Sequence, residues 1–132
     1  MLGSLSYSVK GYGEDADTYA KIISVEKRKP HYDIKKLKKF FARESTRMIT
    51  KTAQKGAASL GYMDEEDIIE VINKLFAQHF YKSMTTYQNS QVWQDVYKFK
   101  DNEKNLYIKL QLSLDNSKAV LIQFKRDEGG DE

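Results

Sequence analysis

The spacing of hydrophobic residues changes once along the chain, near residue 80. Before that point, apolar residues recur every three or four positions, as is typical of amphipathic helices. Asp33, Thr50 and Asp64 each precede such a stretch and can cap the N-terminus of a helix. The first helix should run to about Arg43, and Gly61 should end the second. The sequence therefore predicts three helices in the first part of the chain, with two apolar stripes predicted to be buried: Ile34, Leu37, Phe40 and Phe41 in the first helix and Ile68, Ile69, Ile72, Leu75 and Phe76 in the third.

After residue 80, apolar and polar residues alternate, which is typical of strands with one buried face. The predicted strands are 80–87, 92–100, 105–114 and 119–126, and the intervening segments are rich in Asn, Asp and Ser, which favour turns. Helices followed by consecutive hairpins indicate an α+β fold. We predict about three N-terminal helices packed on one face of a mostly antiparallel sheet of four or more strands.

Alternation also predicts which strand residues face the helices. The core side should hold Trp93, Tyr97 and Phe99, then Leu106, Ile108, Leu110, Leu112 and Leu114, and then Val120, Ile122 and Phe124. If Tyr81 and Tyr87 also pack inward, the opposite face carries Lys82, Met84, Thr86, Gln94, Lys98, Tyr107, Lys109 and Lys125. The sequence thus predicts an open, cationic sheet face with a phenol and an amide among its lysines.

Charge and composition narrow the functional classes. The net charge is only +3, but two of the 22 basic residues and seven of the 19 acidic residues lie in 1–24 and 127–132. The rest of the chain therefore has a basic surplus of eight, which suits an anionic partner. Cys is absent and no apolar run is long enough to span a membrane, so a reducing cytoplasm is expected. We interpret 1–24 as an extension of unknown role, 25–126 as one domain and 127–132 as a flexible acidic tail.

These features leave several interpretations open. Lysines on the outer face of an antiparallel sheet are usually solvated, and in that case Lys82→Ala should cost little stability. The basic segment Lys35–Lys39 is similarly expected to be a solvated helix face. His31 and His79 are isolated, so neither a metal site nor a cofactor is predicted. A non-catalytic nucleic-acid-binding module could use the same sheet face.

Several segments resemble one known family in the same order along the chain. "FYKSMTTY" (80–87) and "WQDVY" (93–97) are similar to the MqsR family of toxins, and "EKRKPH" (26–31), "LYIKL" (106–110) and "VLIQFK" (120–125) agree with it. The resemblance implies a RelE-like α+β fold. It also implies a ribosome-independent endoribonuclease that cuts mRNA at short GC-containing triplets such as GCU. The implied partner is an MqsA-like antitoxin containing zinc and a helix-turn-helix domain, with DNA contacted only through that complex and no membrane partner.

The resemblance also implies which residues act. The family's catalytic residues correspond to Lys82, Gln94, Tyr107 and Lys125, and Met84, Lys98 and Lys109 are candidate RNA contacts. Cleavage by the RNA's own 2′-hydroxyl needs a base, an acid and positive charge on the phosphorane, without requiring a metal. Neighbouring ammonium groups and partial burial are expected to lower the pKa of a lysine in such a cluster. Lys98 stands where the family often has arginine, which leaves open a degenerate toxin that only binds its antitoxin.

Overall fold

The computed structural model describes residues 5–9, 23–86 and 91–129, and their side chains from residue 25 onward. Within these ranges there are three α-helices, namely α1 (Ile34–Phe41), α2 (Lys51–Ser59) and α3 (Glu65–Asn73). The strands are β1 (Leu5–Val9), β2 (Ile23–Lys27), β3 (Arg47–Ile49), β4 (Phe80–Thr85), β5 (Trp93–Asp101), β6 (Lys104–Leu112) and β7 (Ala119–Arg126). Short 3₁₀ turns lie at Glu44–Thr46 and Ala77–His79.

The predicted helix caps are confirmed. Asp33 accepts a hydrogen bond from the amide of Lys35, and Thr50 accepts one from the amide of Ala53. Asp64 caps α3 in the same way, through the amide of Asp67. Each cap satisfies a backbone donor that has no partner within its own helix, which explains why the helices begin there. The first helix ends at Phe41 rather than near Arg43.

The strands form a single sheet in the order β1-β2-β4-β5-β6-β7-β3. All neighbours are antiparallel except β3 and β7. The α+β prediction and its four C-terminal strands are confirmed. Strands β1, β2 and β3 were not predicted, because segments of three to five residues are too short to show alternation. Tyr87 lies outside the described residues.

The main core lies between the helices and one face of the sheet. Leu37 and Phe41 of α1 and Ile72 of α3 are fully buried, as are Ile108 and Leu121 of the sheet. Helix α2 packs directly on β7, and a Cβ atom added at Gly56 would lie 2.1 Å from the carbonyl oxygen of Phe124. The three helices therefore cover β5, β6 and β7 on one side and leave the other side to a separate set of side chains.

Two β-bulges change the predicted alternation. The register shifts between Phe80 and Lys82, so Phe80 packs on the core and Tyr81 lies on the opposite face with Lys82. The prediction that Tyr81 packs inward was therefore wrong. A second shift, at Ile122, puts Leu121 in the core and Val120 opposite Gln111. A bulge adds one residue to a strand and so reverses the alternation beyond it.

Other errors occur at the ends of elements. Leu114 is 80% exposed and Phe76 is 54% exposed, although both were predicted to be buried. Strand β6 ends at Leu112 and helix α3 ends at Asn73, so both residues fall in connections. Trp93 stacks on the ring of His31 at the rim instead of joining the main core. None of the helices in the described ranges is long and apolar enough to cross a membrane.

Candidate functional site

Strand register brings the predicted site residues onto the sheet face away from the helices. Residues directly opposite each other in antiparallel strands share a face, and three rows cross this surface. The first row joins Lys98, Tyr107 and Lys125, and the second joins Lys82, Val96, Lys109 and Gln123. The third row joins Glu26, Met84, Gln94, Gln111 and Val120, and its link between Gln94 and Gln111 is a side-chain hydrogen bond. We call the surface formed by these rows and Tyr81 the site face.

Two tyrosine rings organise the cations of the site face. The Nζ atom of Lys98 lies 3.9 Å from the centre of the Tyr81 ring. The Nζ atom of Lys125 lies 4.9 Å from the centre of the Tyr107 ring, and that of Lys109 lies 5.9 Å from it. Cations over aromatic faces are attracted by the ring quadrupole. The rings therefore hold three ammonium groups on one surface.

The site face is not the open surface that was predicted. Met84, Val96 and Tyr107 form a second hydrophobic cluster there, and Tyr81 packs against it. Met84 is only 8% exposed and Tyr107 only 3%. The lysines of the first row lie over these apolar groups, as long side chains can do while keeping their charged ends near water.

Lys82 is buried, so its interpretation as a solvated strand lysine is wrong. Its side chain has no exposed surface, and its Nζ atom donates to Glu26 Oε2 at 2.8 Å. The Glu26 side chain is only 4% exposed. A charged group can be buried when an opposite charge accompanies it. The ion pair thus fixes the Lys82 ammonium beneath the surface instead of leaving it in solvent.

A hydrogen-bond chain fixes the amide of Gln94. Gln111 donates from Nε2 to the carbonyl oxygen of Leu112 at 3.1 Å, so its Oε1 atom faces Gln94. Gln94 donates from its Nε2 atom to Gln111 Oε1 at 2.8 Å. Because a backbone carbonyl only accepts, it determines the orientation of both amides. Gln94 is therefore held with its amide nitrogen toward Gln111.

The site residues do not all meet at one point. Tyr107 and Lys125 are in contact, and Lys98 belongs to the same row. Lys82 and Lys125 lie on β4 and β7, three strand spacings apart, or about 14 Å between backbones.

The first residue of the predicted flexible tail, Asp127, lies 3.5 Å from Lys98 and donates a hydrogen bond from its backbone amide to the carbonyl oxygen of Asn105. That residue is part of the folded domain.

Three residues of this surface were missed from the sequence. Glu26 and Arg28 belong to a five-residue strand and the residue after it, where two charges show no recognisable pattern. Gln111 is a polar residue at an outward-facing position of β6, which by itself is no sign of a functional role. An acid near a lysine-rich face is informative only once strand order makes β2 the neighbour of β4.

On the helix side of the sheet, Asp95 anchors the loop between β2 and α1. Its carboxylate accepts hydrogen bonds from the amides of His31 and Tyr32. Burial raises the pKa of Asp95, although these donors oppose the shift. Burial, with help from the Lys27 ammonium 2.9 Å away, lowers the pKa of His31. Among the described side chains, no group of three or more His, Asp or Glu residues could hold a metal ion.

Comparison with known proteins identifies the family to which the chain belongs. A family model described as the motility quorum-sensing regulator, toxin of MqsA, matches residues 29–126. The chain belongs to the MqsR toxin family. The mRNA interferase toxin MqsR of Escherichia coli K12 is 35% identical over 101 residues, which cover 76% of this chain and 98% of that protein. The MqsR family model begins after Arg28, so the Glu26–Lys82 pair joins a residue outside the matched range to one inside it.

Proposed function

We propose that the protein is the toxin of a bacterial toxin–antitoxin pair and acts as an endoribonuclease on mRNA in the cytoplasm. Membership of the MqsR family and likeness to a curated mRNA interferase support this activity. The observation that supports it within the chain is the row of Lys98, Tyr107 and Lys125, where a phenol lies between two cations. Two cations beside a phenol suit a phosphate group and a nearby hydroxyl.

The reaction is attack of the RNA 2′-hydroxyl on the adjacent phosphorus. The 2′-oxygen forms a new P–O bond and loses its proton to a base, while the bond to the 5′-oxygen breaks and that oxygen receives a proton from an acid. The products are a 2′,3′-cyclic phosphate and a 5′-hydroxyl, and the step needs no metal ion.

The site-face residues have distinct roles in this proposal. Tyr107 orients the 2′-hydroxyl, and Lys125, which lies against its ring, protonates the leaving oxygen or clamps the phosphate. Lys82 is the phosphorane stabiliser or the base, and to reach the phosphate it must first leave its buried ion pair with Glu26. Gln94 binds phosphate or a base edge, with Lys98 and Lys109 contacting phosphates and Met84 contacting a base.

The resemblance to the MqsR family also supports a more specific proposal for the RNA substrate and for the antitoxin. The enzyme cuts single-stranded RNA at short GC-containing triplets such as GCU, without the ribosome. An MqsA-like antitoxin neutralises it, carrying zinc and a helix-turn-helix domain that binds DNA on behalf of the complex.

The test is incubation of purified protein with a defined RNA in EDTA, followed by mapping of the cut ends. Lys125→Gln and Tyr107→Phe should each lower the cleavage rate by about a hundredfold or more while the fold is kept. Lys100→Gln is the matched control, because Lys100 is exposed on β5 outside the site rows. A requirement for magnesium, or products with a 3′-hydroxyl, would contradict the mechanism.

Burial of Lys82 favours one alternative, a non-catalytic RNA-binding module, because a lysine with no exposed surface cannot contact RNA without rearrangement. The same experiment separates the two functions. Cleavage that disappears in Lys125→Gln identifies the enzyme, whereas RNA binding without cleavage in the unmodified protein identifies the module. Antitoxin binding with neither RNA cleavage nor RNA binding identifies a degenerate toxin.

A further inference from the structure

Three cations surround the ring of Tyr81. Lys98 Nζ lies 3.9 Å from the ring centre, Lys82 Nζ lies 5.6 Å from it, and the guanidinium carbon of Arg28 lies 5.5 Å from it. These cations come from β4, β5 and the residue that follows β2. Glu26 and Asp127 offset two of these three charges, so this end of the site face keeps a net positive charge, which favours an anion.

The three cations differ in their access to solvent. Lys82 is fully buried, whereas the Arg28 side chain is 52% exposed. Glu26 lies between them, with one oxygen 2.8 Å from Lys82 and the other 3.9 Å from Arg28. The 3.9 Å between Glu26 and Arg28 is too long for a hydrogen bond, so Glu26 attracts the Arg28 guanidinium through its charge alone. Of the three cations around Tyr81, Arg28 thus has the largest exposed fraction of its side chain.

A guanidinium has a geometry that lysine lacks. Its planar fork can bind two phosphate oxygens at once, whereas an ammonium acts as a point charge. The proposed site otherwise consists of lysines, a phenol and an amide. Arg28 lies beside the site face, because its guanidinium carbon is 5.5 Å from the centre of the Tyr81 ring.

We propose that Arg28 binds an RNA phosphate at the Tyr81 end of the site face, positioned there by the ring and by Glu26. This inference rests on the proposed function in that its ligand is RNA. The phosphate it binds flanks the cleaved one, because Arg28 lies beside β4 and the Tyr107–Lys125 pair lies on β6 and β7. Arg28 therefore contributes mainly to RNA affinity and less to the chemical step.

The test measures binding separately from cleavage. A 2′-O-methyl RNA oligonucleotide containing GCU cannot be cut, and its Kd is measured at several salt concentrations for the unmodified protein and for Arg28→Gln, Arg28→Lys and Arg43→Gln. Arg43 is the matched control, because it is an exposed arginine after α1, on the helix side of the sheet.

Arg28→Gln should weaken binding roughly tenfold, because a bidentate charge-assisted contact is lost. It should also reduce the slope of log K against log salt by about 0.7, the value for one phosphate on a single strand. Arg28→Lys should recover the slope but only part of the affinity. With cuttable RNA, Arg28→Gln should raise KM and leave kcat nearly unchanged.

Two results would overturn the proposal about Arg28. One is an unchanged affinity and slope in Arg28→Gln while the unmodified protein binds the RNA. The other is an equal loss in Arg43→Gln, which would indicate only overall charge. Failure of the proposed function looks different, because the unmodified protein would then leave cuttable RNA intact whatever Arg28 does to binding.

Discussion

At the scale of single residues, the Glu26–Lys82 pair has the largest expected energetic effect. Both side chains are almost completely buried, so removing Lys82 leaves the Glu26 carboxylate with only the more distant and half-exposed Arg28 to compensate its charge. Lys82→Met should lower the free energy of unfolding by about 3 kcal/mol or more. Urea denaturation of the variant and the unmodified protein measures the difference. This expectation replaces the small effect that the sequence predicts for a solvated lysine.

A double variant distinguishes the ion pair from simple packing. Glu26→Gln combined with Lys82→Met removes both charges and should recover much of the lost stability. Lys100→Met, on the exposed part of β5, should change stability by no more than about 0.5 kcal/mol. Additive losses in the double variant would show that the two charges do not stabilise each other.

His31 should make stability depend on pH. Burial and Lys27 lower its pKa in the folded protein, whereas the unfolded chain has a value of about 6.5. Between these values the unfolded chain binds more protons, so the free energy of unfolding should fall as pH decreases below about 6.5. The contribution is complete above the unfolded pKa and lost as pH falls through the folded pKa. Thermal unfolding between about pH 5 and 8 measures it.

The comparison for this prediction is His31→Asn, which keeps an acceptor near the Lys27 ammonium but does not titrate. The profile of this variant should be flatter in the same pH range. Asp95 faces the same loop and has a pKa raised by burial, a shift that the charge of His31 opposes, so the titration of Asp95 contributes to both profiles. Parallel profiles for the two proteins would assign the pH dependence to a group other than His31.

At the scale of elements, the contact between α2 and β7 depends on Gly56. Replacing glycine by alanine within a helix normally stabilises it by up to about 1 kcal/mol. Here the new Cβ atom would lie 2.1 Å from the carbonyl oxygen of Phe124, so helix and strand must separate. Gly56→Ala should therefore destabilise the protein by about 1–3 kcal/mol, as overpacking does. Chemical denaturation determines the sign as well as the size.

The matched control is Gln54→Ala, at an exposed position of the same helix. Its side chain donates only a long hydrogen bond of 3.4 Å to the carbonyl oxygen of Ile49, so it should change stability little. If Gly56→Ala were as stable as the unmodified protein, the close approach of α2 to β7 would be refuted.

At the scale of the whole molecule, expression of the protein alone should arrest bacterial growth, and co-expression of its antitoxin should relieve the arrest. The expected cause is loss of mRNA through the proposed cleavage at the site face. Lys125→Gln is the control, because it should remain folded and bind the antitoxin but allow growth. Growth with verified soluble, unmodified protein would instead favour the degenerate toxin.

The sequence by itself determined the helices, their caps and the four C-terminal strands, because these depend on local chemistry and on the period of apolar residues. Alternation also identified the face that carries Gln94, Tyr107, Lys98 and Lys125. Each of these signals lies within one continuous segment of the chain, so one sequence is enough to detect it.

Only the tertiary structure decided which side chains on that face are buried and how they are paired. The bulges that move Tyr81 outward and Leu121 inward depend on the register with neighbouring strands. Lys82 is buried because β2 lies beside β4 and brings Glu26 to it, across 56 residues of sequence. Contacts between distant segments have no local pattern, so the surroundings of the candidate lysine became visible only when the sheet was assembled.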